Sequence, residues 1–495
     1  MRARLPIMIF VASLVLAMSG AARAQGSYQS TPIGGRSALM GGTGFALARD
    51  GSAPFLNPAT IASVADSSVA FSVNFYTFST THFTNYYEPG AVDRSRFGNL
   101  QLPDTSLNAA QFSPVPSTLC LFLTIAGWSD EVAPTSEGTH RKGRKKLAAC
   151  LGNLERASVG LTATSYHGTS SGFQSTQTQS LSRDWNRLYV GPTYSAYLTD
   201  DLAIGISLHG ISTTYASSWM ANGFTSNASN QVIASGLDAS SSGTSIELGA
   251  IVGIKYHLDK VYTLGLSVET PSIHVFGTDN TTFSTQYSGA GQAVALATGS
   301  GSFSAAPPVR VGAGLGAQYG RLVLETDASF YFPRDEATRA ELHVTQLASQ
   351  NGSPASSKSF DAVYAERVDP VLNSAFGVEY YLRPSISVLG GVSTDFSAVA
   401  RLTAQPTLGA VALSQQHRVA ASLGIGSYGD GSELLFGTEL SYGWGQAYAV
   451  NQYVLPNQFS VVDQSTFAVL LVVAGSTSLS TLKRTVTNLT HIVTQ

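Results

Sequence analysis

The most regular feature of the chain is an alternation of apolar and polar positions with a period of two. In "RLVLETDASFYF", residues 321–332, Leu322, Leu324, Thr326, Ala328, Phe330 and Phe332 fall on one side, and Arg321, Glu325, Asp327, Ser329 and Tyr331 on the other. Successive side chains of a strand point to opposite faces, so this spacing predicts a two-faced β-strand. "PVRVGAGLGAQY" (308–319), "SIELGAIVGIKY" (245–256), "YTLGLSVE" (262–269), "SAFGVEYYL" (374–382) and "ELLFGTELSYGW" (433–444) repeat it, and their apolar faces often finish in Tyr, Phe or Trp. About fourteen such segments follow one another, beginning near residues 67, 113, 157, 186, 201, 243, 261, 306, 321, 371, 385, 417, 432 and 464. Tight connections at Thr199-Asp200, Leu258-Asp259-Lys260, Gly320, Arg383-Pro384 and 428–431 alternate with long ones. The long ones, near 80–112, 169–185, 217–242, 276–305, 333–370, 398–416 and 447–463, are rich in Ser, Thr, Gly, Asn and Gln and read as loops.

Two architectures use many alternating strands. A soluble sandwich or propeller buries one face and wets the other. A transmembrane barrel turns the apolar face to lipid and the polar face to its lumen. Segments of about 10 to 13 residues are long enough for a tilted bilayer span. The alternation of short and long connections, the aromatic ends and an even strand count all suit a closed barrel, which leaves no edge that lipid would have to satisfy. The expectation is an all-β fold, a transmembrane antiparallel β-barrel of about 14 strands over residues 67–475, followed by a tail at 476–495.

Composition sharpens this picture. Of 495 residues, 12% are charged, about half the usual share of a soluble domain. A net charge of −3 without a basic face argues against nucleic acid as a partner. Residues 1–24 read as a cleaved signal peptide: Arg2 and Arg4, an apolar run from Leu5 to Met18, then Ala22-Arg23-Ala24. Cys120 and Cys150 are the only cysteines; in an exported chain they form either a disulfide or two separate buried thiols. There is no H-E-x-x-H, no phosphate-binding loop and no Cys-rich metal pattern. The one G-x-S-x-G match, at 168–172, sits in a Ser-rich stretch rather than at a strand-to-helix elbow. No enzyme, cofactor or metal is expected.

A barrel of this size has a lumen too wide for its wall side chains to fill. The stretch "GGRSALMGGTGFALARDGSAPFLNPATIA", beginning at Gly34, is made of small residues that allow close backbone approach. It is expected to fold into the lumen as a hatch over residues 25–66, with Asn57-Pro58 turning the chain toward the first strand. The motif residues are Gly35, Arg36, Gly41, Gly42, Gly44, Asp50, Asn57, Pro58 and Ala59. This segment resembles the N-terminal hatch of the FadL/TodX/OmpP1 family of outer-membrane transport proteins; "PVPS" (114–117) and "RLYVGPTYSAYLTDDLAIGISL" (187–208) also resemble strands of that family.

The resemblance implies a fourteen-stranded plugged barrel in the outer membrane. It implies uptake of hydrophobic small molecules, long-chain fatty acids or aromatic hydrocarbons, by passive diffusion with lateral release through a kinked third strand. Pro114 and Pro116, which cannot donate to a ladder, and Gly160 and Gly168 then mark a candidate lateral seam. Phe78, Phe83, Tyr86 and Arg310 are candidate ligand-contacting residues, although the aromatics also suit an interfacial girdle and lumen charges tend to pair with one another. The expected partners are membrane lipid and a hydrophobic cargo, with the chain working as a monomer. An alternative is a FadL-like barrel serving secretion or assembly, and a polar porin is a third. The chain departs from the family in a long basic segment around His140–Lys146 and in ending at Gln495 rather than on an aromatic residue.

Overall fold

The alternation becomes a closed wall. The computed structural model describes residues 28, 30–64, 66–84, 107–125, 144–168, 174–226, 232–288, 292–350, 354–399, 401–402, 414–429, 431–451 and 458–483. The signal peptide, Tyr86 and His140 lie outside them. Eighteen strand segments follow the hatch: β1 Ser68–Phe83, β2 Leu107–Thr124, β3 Lys145–Gly168, β4 Gln174–Tyr197, β5 Leu202–Ser226, β6 Val232–His257, β7 Tyr262–Glu269, β8 Ile273–Ser288 and β9 Gln292–Ala305. They continue as β10 Arg310–Tyr319, β11 Leu322–Tyr331, β12 Arg334–Gln350, β13 Ser356–Val368, β14 Val371–Arg383, β15 Ile386–Asp395, β16 Ser414–Gly429, β17 Ser432–Asn451 and β18 Gln458–Ser478. All pairings are antiparallel, and β18 closes the sheet on β1 from Ser68↔Ser478 to Phe83↔Gln464.

Eighteen segments make a 14-strand barrel because four wall strands are each broken once, at a proline. The breaks are Thr270-Pro271-Ser272 between β7 and β8, Ala306 to Val309 with Pro307 and Pro308 between β9 and β10, Phe332-Pro333 between β11 and β12, and Asp369-Pro370 between β13 and β14. Proline has no N–H to give a ladder. The registers Glu269↔Arg310, Arg310↔Tyr331 and Tyr331↔Val371 place all four breaks in one row across adjacent strands.

The row lies at the edge of an apolar belt. On β5 the outward side chains Ile204, Ile206 and Leu208 are exposed, and beyond Gly210 the outward positions become Ser212, Thr214, Ala216 and Ser218. On β6, Leu248, Val252, Ile254 and Tyr256 give way to Thr244, Ser242 and Ser240. Oily side chains bared to the outside are stable only against lipid. Strands such as β6, with 26 residues, are more than twice as long as a span requires. Their second halves therefore stand clear of the bilayer, where cross-strand Ser and Thr pairs such as Thr162–Ser180 (3.1 Å) and Ser240–Thr282 (2.6 Å) replace apolar contacts.

This overturns the loop reading of the polar stretches. Residues 174–185, 217–226, 232–242, 276–288, 292–305, 334–350 and 356–368 are strand. They look like loops because neither face of a strand above the membrane needs to be oily. The third strand likewise begins at Lys145, within the basic segment, and not near 157. β18 starts at Gln458 and runs to Ser478, past the expected end at 475; Leu479 N–H then donates to Ser67 O at 2.9 Å.

Candidate functional site

The lumen is filled at the short-turn end by residues 34–64, nearly all of them buried. Two short helices, α1 Arg36–Leu39 and α2 Ala53–Leu56, and a 3-10 turn Pro58–Ser63 are linked by tight bends. Gly41 and Gly42 have φ of +70° and +82°, a left-handed conformation that glycine adopts without strain. Asp50 braces the bends: its carboxylate accepts from the Ser37 N–H (3.1 Å) and the Ser52 N–H (3.0 Å). Asn57 donates to Phe45 O (2.6 Å) and to wall Ile254 O (3.0 Å), while its side-chain oxygen caps Ala59 N–H (3.1 Å) and Pro58 begins the turn. Gly35 and Gly44 are demanded by space: a Cβ would lie 2.2 Å from Ala474 Cβ and 2.7 Å from Leu56 Cδ1 respectively.

The wall holds the hatch with charge. Asp327 Oδ2 accepts from Gly44 N–H (2.6 Å) and Phe45 N–H (3.0 Å). Glu325 Oε1 accepts from Ala46 N–H (2.8 Å) and Leu47 N–H (2.9 Å). Arg36 donates to Glu379 at 2.8 Å and to Leu47 O at 3.2 Å. Each bond to a buried charge contributes about 1.5–3 kcal/mol. The wall also leaves room. A Cβ on Gly265 would lie 1.8 Å from Phe45 O, on Gly253 1.9 Å from Asn57 Oδ1, and on Gly391 2.2 Å from the Met40 carbonyl carbon. The glycines on the polar faces of the strands are thus the sockets for the hatch.

The candidate ligand residues separate. Phe78 pairs with Val469 and is 49% exposed on the outer face, as a girdle residue would be. Phe83 pairs with the inward Gln464 and is buried. Arg310 is engaged with the hatch: Nη2 donates to Phe55 O at 2.6 Å, Nε lies 3.4 Å from Glu269, and the guanidinium sits over the Phe45 ring at 5.7 Å. Arg418 pairs with Glu439, and Lys255 donates to Ser63 at 2.8 Å.

Among the described residues, the shortest ladder between neighbouring wall strands joins β2 to β3, with seven pairs against eight for β14 and β15. β2 pairs with β3 only from Thr118↔Gly152 to Thr124↔Lys146, whereas β3 pairs with β4 along its full length. Just above Gly152 the β3–β4 register skips Leu154, a bulge that bends β3 away. Among the described residues, the part of β2 that carries Pro114 and Pro116 has no partner on its β3 side. Gly160 and Gly168 lie on the corresponding stretch of β3, opposite Ser182 and Gln174 of β4. Phe78, level with Phe112 on β2, still belongs to the oily outer face, so the ladder ends within the belt. Ser30 covers part of the free edge, its Oγ lying 3.2 Å from both N and O of Arg156. Cys120 and Cys150 face each other across the short ladder and are bridged.

No protein-family model and no curated protein matches the sequence. Solved structures do. The Ralstonia pickettii toluene transporter TbuX is 16% identical, covers 90% of this chain and 98% of its own, and superposes with a TM-score of 0.50. The Pseudomonas putida toluene transporter TodX (14%, 92% and 100%, 0.52) and a Pseudomonas aeruginosa FadL homologue (13%, 92% and 100%, 0.51) are similar to the same extent. The fold is that of the FadL-type channels. Glu325, Asp327 and the wall glycines escape a motif search because they stand far from the hatch in sequence. Their signal is a run of Gly and carboxylate at every second, inward position.

Proposed function

We propose that the chain is an outer-membrane channel that takes up hydrophobic small molecules, aromatic hydrocarbons or long-chain fatty acids, by passive diffusion. The observation that carries this reading is the combination of a plugged lumen with a ladder that stops inside the apolar belt. A plug bars water and ions from a straight path. A gap in the wall gives a greasy solute a way out sideways into the bilayer, where its transfer is favourable. Pro114 and Pro116 keep β2 from donating across that gap, and the bulge at Leu154 turns β3 away from it. The channel names of the similar structures support the same reading. Since the sheet closes on itself, a single chain suffices, and no catalytic step is assigned.

Uptake of labelled toluene and oleate by cells lacking other such channels tests this directly. Deleting Leu154 removes the extra residue of the bulge and lets β3 run straight on beside β2. Uptake should fall at least about tenfold in that variant, with heat-modifiable mobility on gels unchanged. Uptake at the wild-type rate would remove the lateral exit from the account.

A further inference from the structure

Above the row of proline breaks, β9, β12 and β13 do not simply continue the cylinder. β8 and β9 pair only from Asp279↔Gly301 to Ser288↔Gln292, so the last residues of β9 leave β8 and turn inward. Ala305 N–H donates to Glu247 Oε1 at 3.1 Å, and Ala305 O accepts from Arg187 Nη2 at 3.2 Å. This brings Phe303 against Tyr215 (ring centroids 4.8 Å), itself 6.5 Å from Trp185. A cavity of about 80 Å³ lies between this inturned sheet and β4–β6, bounded by those three rings, Tyr364 and Leu342. Outward neighbours at this height, such as Glu341 and His343, are polar, so the cavity stands outside the lipid belt.

Its polar groups are placed by hydrogen bonds. Asp279 Oδ1 accepts from the Tyr215 hydroxyl at 2.7 Å and lies 3.4 Å from Ser241 Oγ. Glu366 Oε2 accepts from Thr338 Oγ1 at 2.8 Å. Arg183 and Arg339 are the cations of the lining, Arg339 held by Glu336 and Glu341, and Asp184, which accepts from Ser158 at 2.6 Å, is its third carboxylate. Burial raises the Asp279 and Glu366 carboxyls and lowers Arg183 to about 10, as expected of a site withdrawn from water. Three carboxyl groups against two guanidiniums, one of which is already paired with Glu336 and Glu341, disfavour an anionic guest and offer acceptors to a donor.

We propose that this cavity is a binding site for a single neutral aromatic ring that carries a hydrogen-bond donor, a phenol in chemical class. The rings supply offset and edge contacts to the guest, and Asp279 or Glu366 receives its hydroxyl. The cavity has about half the roughly 150 Å³ of an apolar cavity that holds benzene, so it takes at most one ring and only after opening. The site must widen nearly twofold, and β13 permits this because, among the described residues, it pairs along its length only with β12. The inference rests on the channel reading for the route by which a ring arrives.

Calorimetric titration of the full chain in detergent with p-cresol, toluene and benzoate tests the site. p-Cresol should bind one to one, at least about tenfold tighter than toluene, with benzoate giving no heat. Asp279→Ala should abolish the advantage of p-cresol, and Ala340→Leu, which fills the cavity from an apolar position, should remove binding of both. Equal affinity for p-cresol and toluene, or p-cresol binding untouched in both variants, would overturn the proposal. Flat p-cresol titrations beside intact toluene uptake in cells strike this site alone. Absent uptake of toluene and oleate strikes the channel reading whatever the calorimetry gives.

Discussion

Replacing Asp327 by Ala should unseat the hatch without unfolding the barrel. The carboxylate is buried and receives two hatch N–H groups, at 2.6 and 3.0 Å. Alanine leaves both donors buried without that acceptor, at about 1–3 kcal/mol each. Relief of repulsion with the neighbouring Glu325 returns part of this, so the net loss falls at about 2–5 kcal/mol on the hatch. The ladder is untouched, because Asp327 pairs with Gly314 and Ala375 through its backbone. A shift of 2 kcal/mol raises the undocked population roughly thirtyfold. In planar bilayers the wild type should be nearly silent, Asp327→Ala should show frequent brief openings, and Asp327→Asn, which keeps one acceptor oxygen, should lie between them. Thermal unfolding of the barrel should move by no more than a few degrees. A silent Asp327→Ala, and a silent double variant with Glu325→Ala, would refute the claim that these carboxylates hold the plug.

Other outcomes follow from the same geometry. Gly265→Val should also produce leak currents, since its Cβ would lie 1.8 Å from Phe45 O; a closed channel would show that the socket is not needed. Leu208→Arg, on the lipid face, should cost about 2–4 kcal/mol in urea unfolding from lipid vesicles, and Ser218→Arg on the same strand above the belt less than about 1 kcal/mol; equal costs would misplace the belt. The double variant Cys120→Ser/Cys150→Ser should speed exchange of the β2–β3 amides from Thr118 to Thr124 while leaving the β4–β5 ladder protected, because that ladder has only seven pairs; uniform protection would make the bridge redundant.

Much of this architecture is legible in the sequence. Period-two alternation gave the strands of the belt, the even count and the tight turns at Gly320 and Leu258-Asp259-Lys260, because lipid on one side and lumen on the other enforce a contrast at every step. The hatch is legible through Asp50 and Asn57-Pro58, whose bonds to Ser37, Ser52, Phe45 and Ala59 lie within a short stretch of chain, whereas Gly35 and Arg36 answer to the distant Ala474 and Glu379. Three things were hidden. Strand above the membrane, as in 217–226, loses its oily face and resembles loop. Pro333 and Pro370 bound a stretch that reads as loop, and Pro307 and Pro308 fall where a strand is read to begin, yet all four mark breaks within wall strands. Arg310 reads as a candidate ligand contact or a paired lumen charge, and only its closeness to Phe55 and Glu269 assigns it to the hatch.

The most direct test of the central claim, a barrel closed by its own beginning, uses the methionines. The chain has five, and beyond residue 24 only Met40 in the hatch and Met220 on the outer face of β5 remain. Photo-methionine incorporation followed by illumination in native membranes and peptide mapping should join Met40 to peptides containing Gly377 or Gly391, whose backbones touch it, and leave Met220 without an inward adduct. Adducts from Met40 to other proteins, to lipid, or to no wall peptide at all would place the hatch outside the lumen and contradict the account.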